Sequence, residues 1–166
     1  MNKFQKAQQV IASIMALLAL QSSIFYAFNY QALFFISLIA TIGVIRIFYA
    51  YLNGGLFDFL LSIIGMTILM IHVYDSPPNG FWPLLISIWL YGWLAVEKIT
   101  HKKNIAPFFR KLFFIAVPIF FGVWILFAWE VITIGLNIPM VILPSPSLIS
   151  IQFVNSLETL WADFVQ

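Results

Sequence analysis

The chain has 166 residues, 63% of them hydrophobic and 8% charged, with a mean hydropathy of +1.01. Soluble domains carry about a quarter charged residues, and a water-soluble fold could not cover this much apolar surface. Cysteine is absent, which removes disulfides, iron–sulfur centres and thiolate metal sites, and the net charge of +2 is informative only through its placement.

Several apolar stretches approach or exceed the ~20 residues that cross a hydrocarbon core of roughly 30 Å, and they are continuous rather than alternating. The expected class is therefore all-α: a polytopic membrane helix bundle of five transmembrane helices and a C-terminal amphipathic helix, not a β-barrel. The first span is read over residues 9–28, behind Lys3 and Lys6. Its apolar run exceeds the ~7–15 residues of a signal core and the following residues make a poor cleavage site, so it is read as a retained helix. After a turn at Asn29 the second span covers 32–52 and ends at Asn53-Gly54-Gly55. The third covers 56–74. Two prolines and a glycine in Asp75-Ser76-Pro77-Pro78-Asn79-Gly80 end it, because they cannot continue a helix. A shorter fourth span covers 81–96.

The segment 97–111 is read as a basic cytoplasmic loop. It holds Lys98, Lys102, Lys103, Arg110 and Lys111, five of the eight basic residues in the chain. The positive-inside rule puts this loop and the N-terminus on the same, cytoplasmic side, as four intervening spans require. The first module is thus 1–111. The second, 112–166, begins with a fifth span over 112–136, kinked at Pro118, that exits on the far side and leaves the C-terminus extracytoplasmic. Tyr74, Phe81, Trp82, Trp124 and Trp129 fall where an interfacial aromatic belt would stand. Beyond Asn137-Ile138-Pro139, Ser145 can cap a helix with Pro146 at its first position. Ile151, Val154, Leu157, Trp161, Phe164 and Val165 then recur at helical spacing, opposite Gln152, Asn155, Glu158, Thr159 and Asp163. That pattern describes an amphipathic helix on the outer interface or packed on the bundle.

Ala128-Trp129-Glu130, the corner from Gly135 to Pro139, and Leu143-Pro144-Ser145-Pro146-Ser147 followed by a helix containing Leu160-Trp161 resemble the start of a binding-protein-dependent ABC transporter permease. The subgroup is the one for nitrate, sulfonate, taurine, bicarbonate and pyrimidine precursors. The similarity covers about residues 124–166. It implies an extracytoplasmic Pro-Ser-Pro turn shaped by Glu130, Pro144, Ser145 and Pro146, with an ATPase and a solute-binding protein as partners in a bacterial inner membrane. Such permeases continue into further helices with a Glu-Ala-Ala coupling loop, so the segment is expected to be either the N-terminal part of a longer permease or a separate small protein that kept this piece.

Charged residues inside lipid are costly, about 2.5–3.5 kcal/mol each on insertion scales, so Arg46 and Asp58 need an account. At ~1.5 Å per residue from the Asn53-Gly54-Gly55 turn they lie roughly 9–10 Å and 4–5 Å deep on adjacent antiparallel helices. A hairpin ion pair is expected, helped by arginine snorkelling; a substrate or lipid-headgroup site is the sharper reading. Glu130 should emerge near the outer interface, solvated or bonded to the following turn. His72 and His101 belong to opposite sides of the membrane and cannot share a metal. The basic segment could attract anionic lipid or a cytosolic partner, with topological anchoring as the simpler role. Ala12-xxx-Ala16 is a small-residue spacing that lets helices approach.

No nucleophile elbow, metal-ligand cluster or phosphate-binding loop is present in the sequence, so no enzyme activity, cofactor or nucleic-acid partner is expected. The sequence leaves two functional readings. One is a transport component, the N-terminal module of an ABC-type permease. The other is a small structural or accessory subunit of a larger membrane complex, its 18 phenylalanines and 6 tryptophans holding lipid or pigment between helices.

Overall fold

A computed structural model describes residues 3–25, 30–49, 54–73, 80–101 and 107–165. The turn at Asn29, Asn53, Tyr74, the break from Asp75 to Asn79, and Lys102 and Lys103 lie outside the described residues. The described residues form helices and no strands: α1 (Lys3–Phe25), α2 (Tyr30–Phe48), α3 (Gly55–His72), α4 (Phe81–Thr100), α5 (Pro107–Gly135) and α6 (Pro146–Val165). Among the described residues two stretches are long and apolar enough to cross a membrane, Gly55–His72 and Phe114–Gly135, and Ala32–Phe48 is a shorter apolar helix.

The chain divides into two compact units, Met1–Pro118 and Ile119–Gln166. The boundary falls inside α5, not ahead of Leu112. The helix continues through Pro118, whose ring removes one backbone donor from the i→i−4 ladder.

In the first unit, α1 to α4 form an antiparallel four-helix arrangement in which α4 packs on both α1 and α3, and α2 packs on α1 and more lightly on α3. The direction of packing is fixed by pairs running opposite ways along the chain. Gln5 meets Glu97 and Ser13 meets Tyr91 across α1 and α4, while Asp58 meets Lys98 and Ser62 meets Ile88 across α3 and α4. Gly80 ends the α3–α4 connection against the backbone of α1: a Cβ there would stand 2.6 Å from the Ala19 carbonyl oxygen and 2.8 Å from Ser23 Oγ, so only glycine fits.

The side chains buried on α1 are small or polar: Gln5, Gln8, Gln9, Ala12, Ser13, Ala16, Ala19 and Ser23. Its exposed face carries Phe4, Val10, Ile11, Ile14, Leu17 and Leu18. The Ala12-xxx-Ala16 spacing thus lies on the packed face. Apolar packing by Ile36, Ile39, Ile68, Leu69, Leu84 and Ile88 fills the interior further along the bundle.

Two sequence expectations change. The basic segment 97–111 is not all loop: α4 continues to Thr100 and α5 starts at Pro107. Nothing in Glu97-Lys98-Ile99-Thr100 breaks a helix, whereas Pro107 suits a first helical turn. Phe81 and Trp124 do not stand in an interfacial belt, since both are buried and each packs edge-on to a neighbouring ring, Trp82 and Phe127 respectively. Depth along a helix is readable from spacing; the side of the helix that neighbours cover is not.

In the second unit, α5 ends in a Schellman turn. Asn137 takes the left-handed conformation at φ 50. Its N–H donates to Ile134 O at 3.0 Å and that of Ile138 to Thr133 O at 2.9 Å. Pro139 then opens a tight turn, accepting from the Ile142 and Leu143 amides at 2.9 and 3.2 Å. The apolar residues of α6, Ile151, Val154, Leu157, Trp161, Phe164 and Val165, are all exposed, with Trp161 and Phe164 stacked on each other.

Candidate functional site

The polar centre of the first unit is built by all four helices. Asp58 stands in the first turn of α3, where a carboxylate complements the helix dipole. Arg46 is in the last turn of α2. The two join through Nη2 and Oδ1 at 2.7 Å, and both side chains are 0% exposed. Lys98, from the last turn of α4, reaches the other carboxylate oxygen at 2.8 Å. One carboxylate therefore holds two cations, and the triad carries a net charge of +1.

Arg46 does not snorkel to the surface; Asp58 draws it inward, and it lies about 6 Å from the ring centroids of Phe57 (6.0 Å) and Tyr91 (5.9 Å). The Tyr91 hydroxyl hydrogen-bonds to Ser13 Oγ on α1 at 3.0 Å. Gly43 of α2 is the spacer at this level, since a Cβ would strike the Tyr91 hydroxyl. About two turns nearer the chain start, Gln5 Nε2 donates to Glu97 Oε1 at 2.9 Å. Ser87 Oγ donates to the Ala12 carbonyl at 2.8 Å, closing the α1–α4 seam.

Tyr91 and Ser13 were not singled out by the sequence reading, and Lys98 was named there only as part of the basic segment. The missed signal for Lys98 was the unbroken helical stretch after Val96, which carries the lysine back over the start of α3. A tyrosine one turn after Ser87 on an otherwise apolar helix was the corresponding signal for Tyr91.

The second polar centre belongs to the second unit. Glu130 is 4% exposed, so the solvated alternative does not hold. It accepts from the Ser147 backbone N–H at 2.9 Å through Oε2 and from Ser147 Oγ at 2.6 Å through Oε1. Ser145 is buried, Pro146 is the first residue of α6, and partly buried Pro144 precedes them. The Ser145 carbonyl accepts the Ile149 N–H at 3.0 Å, while its hydroxyl pairs with that of Ser147 at 3.0 Å. The expected Ser145 side-chain cap is thus replaced. A carboxylate seventeen residues upstream takes the second N–H of α6, because a charged acceptor at a helix N-terminus makes the stronger bond.

His72 donates from Nδ1 to Ile68 O at 2.9 Å, and exposed His101 does the same to Glu97 O at 2.9 Å. Among the described residues no group of three His, Asp or Glu side chains could hold a metal ion. A groove of about 280 Å³ runs between α2 and α3, lined by Ala32, Phe35, Ile63, Ile68, Ile71 and His72 among others. It lies at the low end of the ~300–1,000 Å³ usual for ligand pockets, and its lining is apolar apart from Thr67 and His72.

Comparison with known protein families, with curated proteins and with solved structures finds no match.

Proposed function

We propose that the chain is an integral protein of a bacterial inner membrane, with five spans, a cytoplasmic N-terminus and an extracytoplasmic C-terminus, and that it serves as the N-terminal module of an ABC-type uptake permease. The membrane placement is supported by an inverted distribution of polarity: α1 faces its neighbours with Gln, Ser and Ala and its surroundings with Ile, Leu, Val and Phe. A helix in water buries its apolar stripe; one in lipid has no reason to.

The transport reading rests on one observation, the Glu130–Ser147 junction. It lies within the stretch that resembles the permeases, and it fixes the corner between the last span and α6 by two charge-assisted bonds. A fixed corner on the outer side suits a surface against which a solute-binding protein docks. In this reading the four-helix unit is a scaffold with the Arg46–Asp58–Lys98 triad as its internal lock, and Glu130, Pro144, Ser145 and Pro146 shape the turn without taking part in any reaction.

The test is affinity purification of the tagged product of the native gene in mild detergent. An ATPase subunit in the purified complex, with ATP hydrolysis raised by a solute-binding protein, is the expected result. A stable membrane assembly lacking an ATPase would favour the second reading, an accessory subunit; the apolar α2–α3 groove suits that role.

A further inference from the structure

The seam between α1 and α4 holds more hydrogen-bonding capacity than it uses. Gln9 is 1% exposed, yet neither its Nε2 nor its Oε1 has a partner. Gln8 Oε1 and Glu97 Oε2 are likewise buried and unpartnered. These groups form one patch. Gln5, Gln8 and Gln9 are spaced i, i+3 and i+4 on α1, which sets their Cβ atoms about 5–6 Å apart, and Gln5 is itself bonded to Glu97. Ser13, one turn beyond Gln9, continues the line to Tyr91.

An amide buried with both ends unmet costs free energy wherever water is excluded, so the patch must meet a partner of its own. The nearby ionisable side chains sum to no net charge, Arg46 and Lys98 against Asp58 and Glu97, which gives an ion of either sign no electrostatic reason to enter. The unmet groups are three acceptors and one NH₂ donor, a set that a molecule able both to donate and to accept will satisfy. Water is the smallest such molecule, and two to four polar partners are what a buried water requires.

We propose that water enters the bundle between α1 and α4 from the Gln5–Glu97 end and fills a polar vestibule that reaches Ser13 and Tyr91. From Gln5 to Ser13 this path is about 12 Å long at the helical rise. It would carry solvent from the cytoplasmic surface to Ser13, about 6 Å past the start of the first span at residue 9, beside the Arg46–Asp58–Lys98 triad. The inference goes beyond the transport reading, and of the proposed function it uses the membrane placement alone.

The chain has no cysteine, so a single introduced one reports on a single place. The full chain is reconstituted in liposomes and treated with iodoacetamide at about pH 8.5, near the ordinary thiol pKa, and alkylation is followed by mass spectrometry. Only a thiolate reacts, and a thiolate forms only where water can solvate it. The variants are Gln9→Cys and Gln8→Cys in the patch, Ala16→Cys in the dry interior, Leu17→Cys on the outward face and His101→Cys at the exposed end of α4.

Gln9→Cys and Gln8→Cys should react at least about tenfold faster than Ala16→Cys and Leu17→Cys, the thiolate being disfavoured wherever water is excluded. If both patch variants are as inert as Ala16→Cys while His101→Cys reacts, the vestibule does not exist. Leu17→Cys reacting as fast as His101→Cys would overturn the membrane placement and the vestibule together. Should Gln9→Cys fail to fold, Gln8→Cys decides by the same comparison.

Discussion

Replacing Asp58 by alanine should damage the four-helix unit more than replacing either of its partners. Asp58 forms an ion pair with Arg46 at 2.7 Å and accepts a hydrogen bond from Lys98 at 2.8 Å. Each charge-assisted bond contributes about 1.5–3 kcal/mol, and removing one member of a buried ion pair costs about 3–5 kcal/mol because the other charge stays behind. Asp58→Ala strands two cations, one of them with 0% side-chain exposure, so a loss at or above the upper end, about 5 kcal/mol, is expected. Lys98→Met leaves the Arg46 pair intact, and the lysine it removes is already 10% exposed; about 1–2 kcal/mol should follow. Arg46→Met should fall between, since Lys98 still neutralises the carboxylate. The assay is denaturant unfolding of the chain in detergent micelles, followed by tryptophan fluorescence. If Asp58→Ala and Lys98→Met destabilise equally, the single carboxylate is not the hub that joins three helices.

Gly43→Ala should cost about 1–3 kcal/mol in the same assay by overpacking against Tyr91 and Ser13, whereas Gly122→Ala, where a Cβ meets open space, should be neutral or stabilising by up to about 1 kcal/mol. Hydrogen exchange at the Ser147 amide should accelerate in Glu130→Ala, which loses both bonds to the turn, and stay protected in Ser147→Ala, which keeps the backbone bond. Asn137→Val should destabilise the α5 corner by about 1–2 kcal/mol because a β-branched residue resists positive φ, with Asn137→Gly close to the natural protein in thermal melts.

The all-helical class and the order of the described helices were legible because long apolar runs and the Gly and Pro residues that punctuate them sit in the primary sequence. The Arg46–Asp58 contact was legible for a related reason, since two charges a few residues either side of one turn must find each other in a helical hairpin. Lys98's part in that contact was not, because it depends on α4 running one turn past Val96 and crossing the start of α3, a tertiary fact that composition hides under a basic cluster. The polar seam of α1 was also missed. Gln5, Gln9 and Ser13 look like a solvated helix start until α4 is laid over them. Glu130 could be placed near a turn from spacing, but its choice of the Ser147 amide over water depends on how the Schellman turn at Asn137 and the Pro139 turn fold the chain back.

Labelling of single-cysteine variants at Lys3 and Val165 with a membrane-impermeant maleimide, in right-side-out and inverted vesicles, tests most directly whether five helices cross a bilayer. The two positions should react from opposite sides, Lys3→Cys in inverted vesicles and Val165→Cys in right-side-out ones. Reaction of both in the same preparation, or release of the protein from membranes by alkaline carbonate, would contradict the account.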